Sequence, residues 1–235
     1  MHSIALFVVA AVLLGQSGAA LAQPASLPAS DELYARIRER YRPMYEKYQG
    51  VEDRSRIETR RYNSKTKEIK ESSQFVAAKR NYFYQKSEQR VLKTIKDGVE
   101  TEAKEEWSAA DEPLLPIWDA DGPRHYRVQV IGRDEYRGKH CYLLGVEPKK
   151  KTKHHFAGTV RVNAETLDLI MLEGSAADIP LGVDAAHFTA WYRQVGDVAL
   201  YDAFEMEVFA NVPLIYPNVR FVWQSQVLES WPIPK

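Results

Sequence analysis

The spacing of apolar and polar positions changes along the chain, and each change marks a different element. Leu33, Tyr34, Ile37, Tyr41, Met44, Tyr45 and Tyr48 recur at intervals of three and four, the period of one helical face. Arg36, Arg38, Glu39, Arg40, Arg42, Glu46 and Lys47 fill the positions between them. This predicts an amphipathic helix over residues 30–49, with Ser30-Asp31 as its N-cap and Gly50 ending it. Pro43 is expected to kink or divide the helix near Arg42.

From Val51 to about Trp107 the period is two: Ser55, Ile57, Thr59 and Arg61 alternate with charged neighbours. Turns are predicted at residues 63–65 and at Asp97-Gly98, with strands over residues 68–78 and 81–96 and a weaker strand over 100–107. Such long strands, polar on one side, suit an antiparallel sheet with one face in water. Residues 109–124 carry Pro113, Pro116 and Pro123 around Trp118 and read as a helix or irregular crossover. Four apolar runs follow at regular spacing, over residues 125–133, 138–147, 156–162 and 167–173, the signature of a meander. Residues 176–187 read as a loop, and closing strands are predicted over 188–194, 198–208 and 219–229, interrupted at 211–217. Trp231-Pro232-Ile233-Pro234 is expected to fall outside the ladder, because proline donates no hydrogen bond.

The amino terminus stands apart. Residues 4–14 are apolar and uncharged, relax into small residues, and end Ala20-Leu21-Ala22 before Gln23. That is the pattern of a secretory signal cleaved between Ala22 and Gln23. The apolar run is shorter than the roughly 20 residues of a spanning helix. An uncleaved anchor is the competing reading, because only His2 and the amino group stand where a Lys or Arg is usual. Gln23 occupies the place where an acylated cysteine would stand. The expected organisation is a signal peptide over residues 1–22, a Pro/Ala/Ser linker over 23–29 and one domain over 30–235, exported to the periplasm and soluble there. No other segment is apolar enough to cross a membrane.

Composition narrows the function classes. Lys plus Arg and Asp plus Glu balance at 32 each. Residues 31–70 hold twelve basic and eight acidic side chains, and residues 176–235 hold three and seven. This mild asymmetry does not point to nucleic acid. Cys141, the only cysteine, lies in an apolar run and reads as a small buried residue. The chain has no G-x-S-x-G, no phosphate-binding glycine loop, no H-E-x-x-H and no acidic calcium loop. His154-His155 follow Lys149-Lys150-Lys151 and Lys153 in a basic hairpin tip; the pair is badly spaced for joint metal binding. That tip is either a solvated loop or a contact for an anionic group such as a phospholipid head. No catalytic residue, metal ligand or cofactor is expected. A scattered hydrolase site has one local hint, His187 beside Asp184.

One stretch carries a recognisable pattern: Tyr126-x-Val128-x-Val130-x-Gly132, then Gly138-x-x-Cys141-Tyr142-x-Leu144-x-Val146-x-Pro148-Lys149, then Phe156-x-Gly158-x-Val160-x-Val162-Asn163-x-Glu165-Thr166-Leu167-x-Leu169-Ile170. It resembles the middle of the outer-membrane lipoprotein-sorting family, which groups periplasmic lipoprotein carriers, their outer-membrane receptors and an anti-sigma-factor regulator of the same N-terminal fold. The opening helix and the polar strands after it agree with that layout. No position of the pattern matches the closing arginine of the dedicated carrier. The resemblance implies an α+β, mostly β fold: a curved antiparallel sheet forming an unclosed half-barrel, with helices covering its concave face and capping an apolar cavity. It implies a non-enzymatic binder of a lipid or lipoprotein acyl chain. The alternative is a cell-envelope sensor that binds another protein and carries no lipid.

The candidate lining residues are the apolar alternates of the strands: Tyr82, Tyr84, Val128, Val130, Tyr142, Leu144, Val160, Val162, Ile170 and Leu172. On a sheet packed by helices the same residues are simply core. A register error of one residue would exchange them for their neighbours.

Overall fold

The computed structural model of the chain describes residues 26–63, 65–103, 105–110, 114–179, 181–212 and 216–235. The expected signal segment, its cleavage point at Ala22 and Gln23, and the start of the linker lie outside these residues. The first element is helix α1 (Ser30–Lys47), followed directly by strand β1 (Tyr48–Asn63). Then come β2 (Ile69–Tyr82), β3 (Glu88–Lys96), β4 (Val99–Glu102) and β5 (Ser108–Ala109). A four-residue helix, α2 (Gly122–His125), opens β6 (Tyr126–Tyr136). The meander continues through β7 (Lys139–Pro148), β8 (Phe156–Asn163), β9 (Leu169–Ala176), β10 (Val183–Val195), β11 (Val198–Val212) and β12 (Tyr216–Pro234).

All twelve strands belong to one sheet, in the order β4-β3-β2-β1-β12-β11-β10-β9-β8-β7-β6, with β5 beside β3. Every pairing is antiparallel. The first and last strands pair with each other in the middle of the sheet. Its ends, β4 and β6, do not meet, so the sheet is unclosed.

The sheet also curls around α1. At the helix start, the backbone N–H of Val130 on β6 donates to Ser30 Oγ at 3.0 Å. Near its end, the Tyr45 ring lies 4.9 Å from that of Phe83, which follows β2. These two helix positions are about 22 Å apart along the axis. From β6 to β2 the sheet counts nine strands, an arc of about 38 Å at the usual strand spacing. One helix thus reaches both ends of this span, and Leu33, Ile37 and Tyr41 pack on the sheet between them, consistent with a sheet curved around α1.

Ser30 explains a difference from the expected cap. The helix starts at Ser30 itself, with Ala29 at the cap position and no side-chain cap. The Ser30 hydroxyl instead serves β6, an edge strand whose Val130 N–H has no strand partner on that side. The helix runs through Pro43 without dividing. Residues 114–121 clamp its outer side. Tyr34 Oη donates to the Ile117 carbonyl at 2.7 Å, and Arg38 Nε donates to the Asp119 carbonyl at 2.9 Å.

Two turns follow their residues. Asn63 Oδ1 accepts the N–H groups of Lys65 and Thr66, closing an Asx turn. Asp97 and Gly98 have φ of 52° and 80°, the positive pair required by a two-residue hairpin. Other boundaries shift: β2 runs on to Tyr82, and β10 begins at Val183 inside the expected loop.

The proline tail is a correction. β12 continues to Pro234, pairing Pro232 with Val51 and Pro234 with Tyr48. β11 leaves β12 at Gln226, so from Val227 onward β12 pairs only with β1. The Lys235 N–H donates to the Lys47 carbonyl. By alternation the odd-numbered N–H groups of the tail point to β1 and the even-numbered ones point away. Pro232 and Pro234 thus occupy positions whose donors would meet no strand, and no ladder bond is lost.

Candidate binding surface

The strand register defines the inner face residue by residue. Directly paired residues share a face. One unbroken row runs Phe75, Ile57, Ser225, Phe204, Ala190, Leu172, Val160, Leu144, Val130, crossing nine strands. Leu172, Val160 and Leu144 form one buried cluster with Leu33, Ile37 and Tyr41 of α1, so this is the face the helix covers. A neighbouring row runs Trp223, Met206, Phe188, Gly174, Gly158, Val146, Val128.

The two halves of this face differ. Over β6 to β9 the helix fills it. Val128, Leu144, Val160, Val162 and Leu172 are buried there, and Val130 and Tyr142 pack against them half-buried. Ile170, half-buried, sits at the irregularity where Val162 pairs with Leu169. Tyr82 and Tyr84 lie apart from this group. Tyr82 pairs with Gly50 and donates to Glu88, and exposed Tyr84 donates to Asp119 Oδ2 at 2.9 Å. Seven of the ten sequence candidates therefore gather beneath or beside α1.

Over β10 to β12 and β1 to β2 the inner face carries Phe204, Met206, Val208, Phe221, Trp223 and Phe75, all half-buried. The Phe188 and Phe204 rings stack at 5.8 Å, and those of Phe75 and Trp223 meet edge-on at 6.0 Å. This aromatic surface was not among the sequence candidates. Its signal was present as Phe204-x-Met206-x-Val208 and Phe221-x-Trp223-x-Ser225-x-Val227.

One polar group interrupts it. Val51, Asp53, Ser55 and Ile57 alternate on β1 and are all buried. Asp53 Oδ1 accepts from Ser55 Oγ at 2.7 Å, and Oδ2 accepts from Asn81 Nδ2 at 2.9 Å. Burial pushes the Asp53 carboxyl above the usual carboxylate range, opposed by these hydrogen bonds and the nearby Lys79 charge.

The outer face is polar. Arg161 binds Asp134 at 2.7 Å, Arg54 binds Glu229 at 3.0 Å, and Trp107 lies under Arg80 at 4.0 Å. His187 Nε2 stands 3.4 Å from Glu173, and so pairs with Glu173 rather than with Asp184. Cys141 is buried and free, and burial pushes its thiol up. The basic tip is only partly solvated. His155 is buried, with Nδ1 2.6 Å from Thr152 Oγ1 and its ring 5.5 Å from that of His125. Burial, with the neighbouring His125, His154 and Lys150, lowers its pKa. Among the described residues no group of three or more His, Cys, Asp or Glu side chains could hold a metal, and no helix is long and apolar enough to cross a membrane.

No family model matches the chain, and no curated protein matches it. It is similar in structure to a LolA superfamily protein from Nitrosomonas europaea, with 9% identity, a TM-score of 0.44, and coverage of 89% of this chain and 95% of that one. It is similar to a putative outer membrane lipoprotein-sorting protein domain from Vibrio parahaemolyticus, with 9% identity, a TM-score of 0.41, and coverage of 86% and 92%. It is also similar to a DUF1329 family protein from Desulfovibrio piger, with 10% identity, a TM-score of 0.40, and coverage of 86% and 90%.

Proposed function

We propose that this is an exported, periplasmic, non-enzymatic binding protein that holds the acyl chain of a lipid or lipoprotein against the inner face of its sheet. The observation that carries this reading is the aromatic surface of Phe75, Phe204, Met206, Val208, Phe221 and Trp223, which continues the buried core beyond the reach of α1 yet stays half-buried. A methylene chain laid along it gains about 0.8 kcal/mol for each buried CH2. Binding needs no covalent step, and the curved sheet supplies the surface before the ligand arrives. The part of the face under α1 already has its occupant in Leu33, Ile37 and Tyr41.

That filled half favours one second reading. If the whole inner face serves as core, the protein acts as an envelope sensor or interaction module and carries no lipid.

Native mass spectrometry of protein purified gently from its own periplasm, followed by organic extraction, separates the two. A co-purifying mass in the phospholipid or fatty-acyl range, lost on denaturation and absent from a Met206→Glu variant, supports the binder. A clean unliganded mass with no uptake of added lipid refutes it and directs the search to protein partners by cross-linking.

A further inference from the structure

β9 and β10 part at one rim of the sheet. Their pairing runs from Phe188 opposite Gly174 to Trp191 opposite Met171 and stops there. Beyond it, Tyr192, Arg193 and Gln194 on one strand and Leu169 and Ile170 on the other line a cavity of about 410 Å³, a size typical of small-molecule sites. Hydrogen bonds fix its walls. Trp191 Nε1 donates to Tyr136 Oη at 2.7 Å, tying β10 to the end of β6. The buried Tyr41 hydroxyl donates to Gln194 Oε1 at 3.2 Å and accepts the Leu169 N–H at 2.6 Å, joining the two parted strands from the side of α1. Among the described residues the cavity shares none with the aromatic surface proposed above for an acyl chain.

The charges around this cavity do not balance. Arg137, Lys139 and Arg193 all line it, and among the described residues none of the three has a carboxylate partner. Other arginines of the fold are paired: Arg40 holds Asp168 at 3.0 Å, Arg54 holds Glu229 at 3.0 Å, and Arg161 holds Asp134 at 2.7 Å. Arg137 lies over the Tyr136 ring at 5.3 Å and has φ of 51° in the two-residue turn between β6 and β7, a left-handed position that Asn or Gly usually fills. Lys139 pairs with Tyr136 and so shares its face. Two acids also line the cavity. Asp168 is already held by Arg40, and Asp202 is exposed and has no basic partner among the described residues. Three free cations against one free carboxylate leave two positive charges uncompensated. Asn163 completes the lining; its Oδ1 accepts the N–H groups of Glu165 and Thr166, which leaves its amide nitrogen as a donor.

We propose that the cavity between the parted ends of β9 and β10 binds a phosphomonoester dianion, presented by a small polar molecule or by a lipid head. A phosphomonoester carries about 1.5 to 2 negative charges at pH 7 and three strong acceptor oxygens, which matches the two uncompensated charges and the three cationic side chains. A carboxylate brings one charge and leaves the second uncompensated. Arg137 and Arg193 offer planar forks for paired hydrogen bonds to phosphate oxygens, and Lys139 supplies a point charge. Trp191 and Tyr136 satisfy each other's polar atoms, so they present ring surface to the group that carries the phosphate. Asp202 works against the anion, so its removal probes the site independently of the cations. The site uses no acyl burial and does not depend on the acyl-binding reading.

The test is calorimetric titration of the purified protein with glycerol 3-phosphate at pH 7.5 and low salt, beside flotation with phosphatidylcholine vesicles that contain or lack phosphatidate. Saturable binding of glycerol 3-phosphate, weakened about tenfold by Arg193→Ala and further when Arg137→Asn is added, supports the site and a soluble source. Binding to phosphatidate vesicles alone, lost in the same variants, supports the site and a lipid source. Asp202→Asn should strengthen either several-fold. The three substituted side chains are exposed, and Asn suits the turn at 137, so the variants should fold; circular dichroism checks that they do. Binding of neither probe overturns the proposal. So does binding that every variant retains in full, which would place the anion elsewhere on the surface.

Discussion

The backbone N–H of Leu169 donates to the hydroxyl of Tyr41 at 2.6 Å, joining the middle of α1 to the first residue of β9 across 128 positions of sequence. The register slips here, where Arg161 pairs with Met171 but Val162 pairs with Leu169, so the sheet alone does not complete the ladder. Tyr41 is 0% exposed, and its hydroxyl also donates to Gln194 Oε1 at 3.2 Å. Burial raises the Tyr41 pKa, which keeps the phenol neutral at any ordinary pH. Tyr41→Phe keeps the ring and orphans the Leu169 N–H. The expected cost is about 1–3 kcal/mol, with a Tm fall of about 2–4 °C per kcal/mol, read by thermal denaturation. An unchanged Tm would mean that water or a backbone shift replaces the hydroxyl.

The tail of β12 gives a prediction that depends on parity. Pro232→Ala restores an N–H that points away from β1, and its effect should stay within about 0.5 kcal/mol. Ile233→Pro removes an N–H that points toward β1 and should cost about 1 kcal/mol beyond the Ile233→Ala control. Urea denaturation of the three variants measures both. Equal costs at 232 and 233 would contradict the alternation inferred from the bond between Lys235 and Lys47.

These two regions show what the sequence could and could not disclose. The helix, the meander and the Asp97-Gly98 turn were legible because each is set by local periodicity or by one residue's φ preference. The proline tail misled because proline's cost depends on which edge its nitrogen faces, and that depends on where β11 leaves β12. The candidate site divided for the same reason. Val128, Leu144 and Val160 lie on one face, but alternation does not say which face points inward or which stretch of it a helix covers. Phe204, Met206, Phe221 and Trp223 alternate just as clearly, and only the pairing of β12 with β1 brings them next to Ile57 and Phe75. Asp53 gave no local signal: on a strand with charged alternates its burial follows from a register that spans the chain.

Gly158 and Gly174 face each other across β8 and β9. A Cβ on Gly174 would overlap the Ala157 carbonyl oxygen and stand 2.7 Å from the Phe156 ring, which is 1% exposed. Both obstacles are fixed, one by the ladder and one by the core. Gly174→Ala should therefore destabilise by about 1–3 kcal/mol through overpacking. At Gly132 a Cβ would meet nothing within 4 Å. Gly132→Ala should be neutral or stabilise by up to about 1 kcal/mol, by restricting the unfolded chain. Urea midpoints of the two variants test the contrast, and similar midpoints would mean that β8 and β9 separate to admit the methyl group.

His155 should make stability depend on pH. It is buried, its Nδ1 lies 2.6 Å from Thr152 Oγ1, and the groups around it are the His125 and Tyr126 rings, His154 and Lys150. None of them carries a negative charge to favour an imidazolium. Burial is the first cause that lowers its pKa, and the neighbouring cations add to it. A lowered folded pKa means that the unfolded chain takes up the proton first. Its contribution is therefore complete above the unfolded value of about 6.5 and is lost as pH falls from there through the lowered folded value. The urea midpoint should decline as pH is taken from 7.5 to 5.5, and His155→Gln should flatten that decline while lowering the midpoint at pH 7.5. A variant that retains the full slope would assign the proton uptake to another group.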